Sequence, residues 1–135
     1  MGEKEVQKQI HRAKLQNKII LIVFIALTVA VILGVCVYKY QRAFSIGKWN
    51  TDKYNRTKIV GDLLEDYNLI GMRETDIIEL LGEEDSEQSS FKISRKEYPS
   101  DTTLVYFLGI DYMDNEWLIL SLEDGIVYEY CIDVS

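Results

Sequence analysis

The longest apolar segment of the chain runs from Ile19 to Tyr38 and contains no charged side chain. Lys18 and Lys39 bracket it, so the segment ends abruptly in charge on both sides. At about 1.5 Å per residue, a helix of this length rises about 30 Å, which is the thickness of the hydrocarbon core of a bilayer. The pattern predicts a single transmembrane helix over residues 19–38, behind a basic tail over residues 1–18.

A cleaved signal is the alternative interpretation of this segment. The apolar run is longer than the usual signal-peptide region of about 7–15 residues, and no A-x-A cleavage motif follows it. Leu33-Gly34-Val35-Cys36 resembles a lipobox that would lipidate the cysteine, although Val35 fits its position poorly. We expect an uncleaved anchor, with a lipoprotein as the alternative.

Three small residues recur at every fourth position of the segment, at Ala26, Ala30 and Gly34. Such a stripe lets two helices approach closely, so these residues form a candidate helix-packing surface and a homodimer is one predicted association. The alternative is that they have no such role, since small residues are common in transmembrane helices.

Residues 39–57 are polar with scattered aromatic side chains, among them Trp49 and Tyr54. Tyr and Trp are enriched in the headgroup layer, so we interpret this stretch as a juxtamembrane linker. The alternative is that Trp49 packs on the domain that follows. That domain, residues 58–135, is long enough for one modest hydrophobic core.

The domain begins with two helical patterns. Ile59, Leu63 and Tyr67 recur at a spacing that places them on one helix face. Residues 74–81 form the second pattern, and Gly82 is a natural stop. Four segments rich in β-branched and aromatic residues follow, at 91–98, 103–110, 116–122 and 126–134. The predicted fold class is α+β, with two helices followed by an antiparallel sheet of three to four strands (α-α-β-β-β order).

The pair Asp124-Gly125 favours a two-residue type I′ hairpin between the last two segments. In regular pairing from that turn, opposed residues share a face of the sheet. One face is then apolar and is the predicted core: Leu118, Leu120, Leu122, Val127 and Cys131. Glu129 and Asp133 also fall on this face, where a carboxylate is poorly accommodated.

The opposite face of the predicted hairpin carries Trp117, Ile119, Ser121, Ile126, Tyr128 and Tyr130. We expect this face to be partly open, and exposed aromatic patches commonly bind partners. The candidate partner-binding residues are Trp117, Ile119, Tyr128 and Tyr130. The alternative is that a second layer, formed by the first strand, the linker or a second copy, covers them.

A resemblance to a known family spans residues 59–130. Residues 69–82, Leu-Ile-Gly-Met-Arg-Glu-Thr-Asp-Ile-Ile-Glu-Leu-Leu-Gly, resemble the G-M-T-x-x-x-V-x-x-L-L-G-x-P helix of the SmpA/OmlA (BamE-like) domains. Tyr106-Phe107-Leu108-Gly109, Trp117-Leu118-Ile119 and Asp124-Gly125 resemble the sheet of that group. The resemblance implies the α-α-β-β-β fold, whose units are similar to those of β-lactamase inhibitory protein. It also implies an extracytoplasmic setting and binding of proteins through the sheet or its edges.

The chain departs from that family at several points. Arg73 stands where the family has a Thr that caps the helix, and Glu84 stands where it has Pro. An apolar span replaces the lipidated cysteine of the outer-membrane lipoproteins. We therefore do not extend a role in outer-membrane assembly to this chain.

Charge divides the chain in two. Up to Arg42 there are seven Lys or Arg and two acidic residues, a net +5, whereas from Ala43 onward there are eight basic and twenty acidic residues, a net −12. The acidic part should repel nucleic acid, so we expect no nucleic-acid ligand. Basic residues near the span are almost evenly distributed, five before and six after it. A short basic tail before a single span normally stays in the cytoplasm, which predicts a cytoplasmic-membrane protein with an extracytoplasmic domain.

The sequence offers little catalytic chemistry. The only histidine, His11, precedes the span, which excludes a Ser-His-Asp or Cys-His site in the domain. Cys36 and Cys131 have no metal-ligand spacing, and we expect no disulfide, metal or cofactor. The acidic residues 83–87 are a conceivable cation loop, but they lack the alternating spacing of a calcium site.

Three functional hypotheses follow. The first is a membrane-anchored, non-enzymatic protein-interaction module at the outer face of the cytoplasmic membrane, whose partner is an unidentified envelope protein. The second is a sensor domain for a small ligand or cation that signals through the span. The third is a hydrolase of cell-envelope material that uses carboxylates alone.

Overall fold

The structure, a computed structural model, describes residues 2–85, 90–93 and 96–134. Within these residues it has an α+β architecture, with one long apolar helix, a few short helices and two antiparallel sheets. The described residues fall into two compact units, which divide between Tyr40 and Gln41. The α+β class predicted from the sequence is confirmed.

Helix α1 spans Gly2–Arg42 and contains the whole predicted membrane segment. Its most apolar stretch has a mean hydropathy of 3.2, and none of its residues is buried. By length and composition, α1 is long and apolar enough to cross a bilayer. The helix continues through the basic tail because residues 2–18 are rich in Lys, Gln and Glu, which favour helix.

Helix α2 spans Ile46–Thr51 and is followed by a 3₁₀ turn at Lys53–Asn55. Ser45 caps α2, since its hydroxyl accepts a hydrogen bond from the amide of Lys48 at 3.3 Å. The Trp49 side chain is fully buried. The second unit therefore includes residues predicted as a linker, because a large apolar side chain among them packs into the core.

The next two helices lie where the sequence predicts them. Helix α3 spans Arg56–Asp66 and helix α4 spans Glu74–Leu81. Gly82 ends α4 at a φ of +83°, and its amide donates to the carbonyl of Ile78 at 2.8 Å. Glycine adopts this conformation without a Cβ clash, so it stops the helix at little cost.

Three long strands form the main sheet in the order β3-β4-β5: Thr103–Asp111, Asp114–Glu123 and Ile126–Val134. A separate hairpin consists of β1 (Ser90–Ile93) and β2 (Lys96–Pro99). The prediction of one strand over residues 91–98 is therefore wrong. The chain turns back within that segment, so that Phe91 pairs with Tyr98.

One face of the main sheet packs on the short helices and forms the core. The predicted leucine face is confirmed as the buried one, apart from Cys131, which lies on the other face. The buried apolar residues of the core are Trp49, Ile59, Val60, Leu63, Leu69, Ile77, Leu80, Leu81, Leu104, Tyr106, Leu108, Leu118, Leu120, Leu122 and Val127.

A β-bulge in β5 explains the exception. Pairing from the turn follows the predicted register as far as Leu122–Val127, and the next pair is Ser121–Glu129. Tyr128 is thus an extra residue in the strand. The predicted pairing beyond Val127 is wrong by one position, and every later side chain changes face.

The bulge removes the conflict that regular pairing creates. Glu129 now lies opposite Ser121, and Asp133 lies opposite Trp117, so both carboxylates are on the face away from the helices. An ionised carboxylate against the core would lose its hydration without compensation. Tyr130 moves in the opposite sense and lies on the helix side, opposite Leu120.

A buried ion pair joins the first helices of the domain to the sheet. The guanidinium of Arg56, which is 3% exposed, donates to the carboxylate of Asp85 at 2.6 Å, to the carbonyl of Trp49 at 2.8 Å and to the carbonyl of Phe107 at 3.0 Å. Asp85 also forms an ion pair with Lys53. The guanidinium carbon is 4.5 Å from the centre of the Trp49 ring, within the range of a cation–π contact.

We expect Arg56→Ala to lower the free energy of unfolding of the domain by about 3 kcal/mol, because it leaves a nearly buried carboxylate and two carbonyls without their main donor. Lys53→Ala, which removes the half-exposed partner of the same carboxylate, should cost about 1 kcal/mol or less. Urea unfolding of the detergent-solubilised chain, followed by near-UV circular dichroism, measures both. Equal effects of the two substitutions would contradict the assigned role of Arg56.

Deleting Tyr128 should leave the domain folded, with a loss of about 1 kcal/mol, because the residues that follow keep their faces. Deleting Tyr130 instead should destabilise the domain much more, since it turns Asp133 toward the helix side. The same unfolding measurement compares the two deletions. If both deletions had the same effect, the extra residue would not be at position 128.

Candidate interaction site

The four candidate partner-binding residues do not form one patch. Ile119 is fully buried, and Trp117 is partly buried against the same cluster. Tyr128 and Tyr130 are exposed, at 54% and 37%, but Tyr128 lies in the bulge and Tyr130 lies on the helix side of the sheet. The expectation of one open aromatic face is therefore wrong in its geometry, because the bulge separates the tyrosines from Trp117.

The β1–β2 hairpin supplies the second layer over that face. Tyr98 of β2 is buried against Ile119, and its hydroxyl lies 3.7 Å from the Cys131 sulfur and donates to Asp133 at 3.4 Å. Burial, together with these neighbours, raises the pKa of the Tyr98 hydroxyl above its ordinary value. The outer face of the sheet is thus partly covered.

A row of aromatic rings continues beyond the covered part. Phe107 lies between Tyr54 and Trp117, with ring centres 5.3 Å from each and edge-to-face geometry. Tyr54, at the end of the row, is 68% exposed. The row consists mainly of rings that pack on one another, and its exposed part is a single tyrosine.

The outer edge of β3 is closed by two carboxylates. Glu84 accepts from the amide of Val105 at 3.0 Å, and Asp85 accepts from the amide of Phe107 at 3.0 Å. The amide of Asp85 donates to the carbonyl of Val105 at 2.8 Å. The loop after α4 therefore satisfies the backbone groups that an edge strand would otherwise offer.

Gly109 marks a close approach of the 3₁₀ turn to the end of β3. A Cβ at this position would lie 2.6 Å from the carbonyl oxygen of Tyr54, so only glycine allows the 3₁₀ turn to approach the strand. At Val105 and Phe107, the loop after α4 thus occupies the side of β3 that faces away from β4.

These contacts also bear on the acidic stretch considered as a cation loop. The carboxylate of Asp85 is bound to Arg56 and Lys53, and that of Glu84 to a backbone amide, while Glu87 lies outside the described residues. Desolvation by burial raises the pKa of Glu84, with the hydrogen bond from Val105 acting in the opposite direction. In the described part of the chain, no group of three or more His, Cys, Asp and Glu side chains is placed to hold a metal ion.

β5 is the other edge of the sheet, and it is closed only at its beginning. Val127 donates to the carbonyl of Met72 at 2.9 Å and accepts from the amide of Gly71 at 2.7 Å. From Tyr128 to Asp133, β4 is the only described element whose backbone bonds to the strand. We call the outer side of residues 128–133 the open edge.

The β3–β4 turn carries two exposed apolar side chains. Tyr112 and Met113 are 97% and 94% exposed, and Tyr112 has a φ of +55°. A tyrosine in this left-handed conformation costs about 1–2 kcal/mol of backbone strain, and its side chain is almost fully exposed. Backbone strain of this kind often occurs at positions whose side chains take part in binding.

Three further candidate residues belong to α1. Ala26, Ala30 and Gly34 lie on one side of this helix, and a Cβ at Gly34 would meet open space. Close approach of a second helix along this stripe stays a prediction.

Comparison with known proteins finds no matching family model, curated protein or solved structure. The resemblance to the SmpA/OmlA domains therefore stays a prediction. The open edge was missed from the sequence, which does not show which strands lie at the edges of the sheet. One signal pointed to the bulge: regular pairing placed Glu129 and Asp133 against the core, which is the pattern that a bulge relieves.

We expect Tyr112→Gly to raise the free energy of unfolding by about 1 kcal/mol, because glycine adopts a positive φ without strain. Tyr128→Gly is the matched control, since it removes a second exposed tyrosine and should lower stability by weakening a strand. Thermal unfolding of the two variants in detergent provides the comparison. A loss of stability in Tyr112→Gly would show that the ring makes stabilising contacts.

Proposed function

We propose that the protein is a single-pass membrane protein whose domain is a non-enzymatic protein-interaction module at the outer face of the cytoplasmic membrane. The observation that carries the proposal is that every residue of α1 over residues 19–38 is exposed. Exposed apolar surface of this extent is unfavourable in water and favourable in hydrocarbon. A bilayer is therefore the environment that best suits this helix.

The charge of the chain supports the orientation. The basic residues before the span are typical of a tail that stays in the cytoplasm. The part from Ala43 onward has a net charge of −12, which disfavours close association with anionic lipid headgroups. The surface of the domain is then accessible to proteins of the envelope.

The surface of the domain supports binding rather than catalysis. The carboxylates of Glu84 and Asp85 accept hydrogen bonds from the edge of β3, and that of Asp85 also forms the buried ion pair with Arg56. Both are therefore engaged in structural contacts. The exposed apolar side chains of the domain include those of the open edge and of the β3–β4 turn. Large exposed apolar and aromatic side chains are typical anchors of protein interfaces.

A photo-crosslinking amino acid at position 128, in the full chain in its native host, tests the proposal. We expect a discrete adduct with another protein in carbonate-washed membranes, because position 128 is exposed at the start of the open edge. The same probe at position 65, an exposed position of α3, is the control and should give no such adduct. The known location of the partner would also establish the side of the membrane.

Two results would contradict the proposal. Recovery of the chain in the carbonate supernatant would contradict the proposal that α1 anchors it in the membrane. Identical adduct patterns from positions 65 and 128, or no adduct from either, would remove the interaction surface.

A further inference from the structure

We propose that the open edge of β5 binds an extended polypeptide segment as a fourth strand, and that this segment carries basic and apolar side chains at alternating positions. The inference rests on the proposed function as an interaction module and specifies the chemistry of its partner.

The two edges of the sheet differ in how much of their backbone is covered by other segments. Glu84 and Asp85 close the edge of β3, and Gly71 and Met72 cover the first residues of β5. In the described structure, the covering stops at the bulge. An edge strand presents alternate N–H and C=O groups outward, and such a row is a template for an added strand.

The helix side of the open edge is apolar. Tyr130 and Ile132 lie opposite Leu120 and Leu118, on the core face, yet they are 37% and 41% exposed. The core residues beside them on β4 are fully buried. The short helices therefore cover β4 but not all of β5, and an added strand with apolar side chains on this side would extend the core.

The outer side of the open edge is acidic. Glu129 is exposed, and Asp133 is partly exposed and accepts a hydrogen bond from Tyr98. Cys131 lies between them on the same face. Opposite charges on directly opposed residues stabilise a sheet, so a strand with Lys or Arg facing these two carboxylates is favoured.

Together the two sides define a pattern for the partner. Opposite residues 129 to 133, the added strand should read basic, apolar, any residue, apolar, basic. The pattern is the same in both chain directions, and antiparallel addition would continue the arrangement of the existing sheet. A second copy of this domain is the less favoured occupant because each copy has a net charge of −12.

Two synthetic peptides of identical composition test the proposal. One carries the core Lys-Ile-Thr-Ile-Lys and the other carries Ile-Lys-Thr-Lys-Ile, which places each side chain type on the wrong face. Both are fluorescently labelled and titrated with the full chain in neutral detergent micelles. We expect the first to bind at least about tenfold more tightly than the second, and its affinity to fall as salt is added.

Variants locate the binding on β5. Ile132→Lys places a charge on the helix side of the open edge. It should lower the affinity for the first peptide at least about tenfold. Ile110→Lys makes the same exchange at an exposed position of β3 and should leave the affinity unchanged. Glu129→Lys should lower the affinity for the basic peptide and raise it for the peptide Glu-Ile-Thr-Ile-Glu. Near-UV circular dichroism confirms that each variant is folded.

Each contrary outcome overturns the inference. Equal affinity of the two peptides would indicate attraction by net charge alone, and an unchanged affinity in Ile132→Lys would place the peptide elsewhere. A dimer that is lost in Ile132→Lys would identify a second copy as the occupant. An adduct from position 128 without peptide binding would leave the proposed function standing and remove strand addition.

Discussion

The domain depends on a buried guanidinium that three parts of the chain share. Arg56 begins α3, and its donors bind the carbonyl of Trp49 in α2, the carbonyl of Phe107 in β3 and the carboxylate of Asp85 after α4. A buried charge is tolerated only when it is paired and its donors are satisfied. The group therefore requires all three segments to be in place together. It joins the first helices of the domain to the sheet at the point where the edge of β3 is closed.

The two edges of the sheet follow from that arrangement. Because Asp85 is held by Arg56, its loop lies along β3 and supplies backbone and carboxylate partners for that strand. No comparable segment of the described chain lies along β5 beyond Val127. Proteins usually blunt an open edge with charge or with a bulge, and β5 has both. In the proposed strand addition, the same charge and bulge would also determine which strand the edge accepts.

The bulge at Tyr128 shows how one residue changes the surface of a small sheet. Without it, Glu129 and Asp133 would face the helices, and Tyr130 would join Trp117 on the outer face. With it, the acidic side chains face outward, and the apolar side chains of β5 extend the core face beyond the helices. The open edge consequently has one apolar and one acidic side. In the proposed strand addition, this difference between the sides would select the side chains of the added strand.

Local patterns were sufficient for much of this protein. The apolar run from Ile19 to Tyr38, the helix that Gly82 ends, the Asp124-Gly125 turn and the leucine face all rest on neighbouring residues, whose spacing is visible in the sequence. Only the tertiary structure decided that Trp49 belongs to the core, that Asp85 pairs with Arg56, and that β5 contains an extra residue. The reason is physical: a buried ion pair, a closed edge and a bulge each depend on contacts between residues far apart in the chain. Their free energies come from desolvation and packing, and periodicity along one strand or helix does not report them.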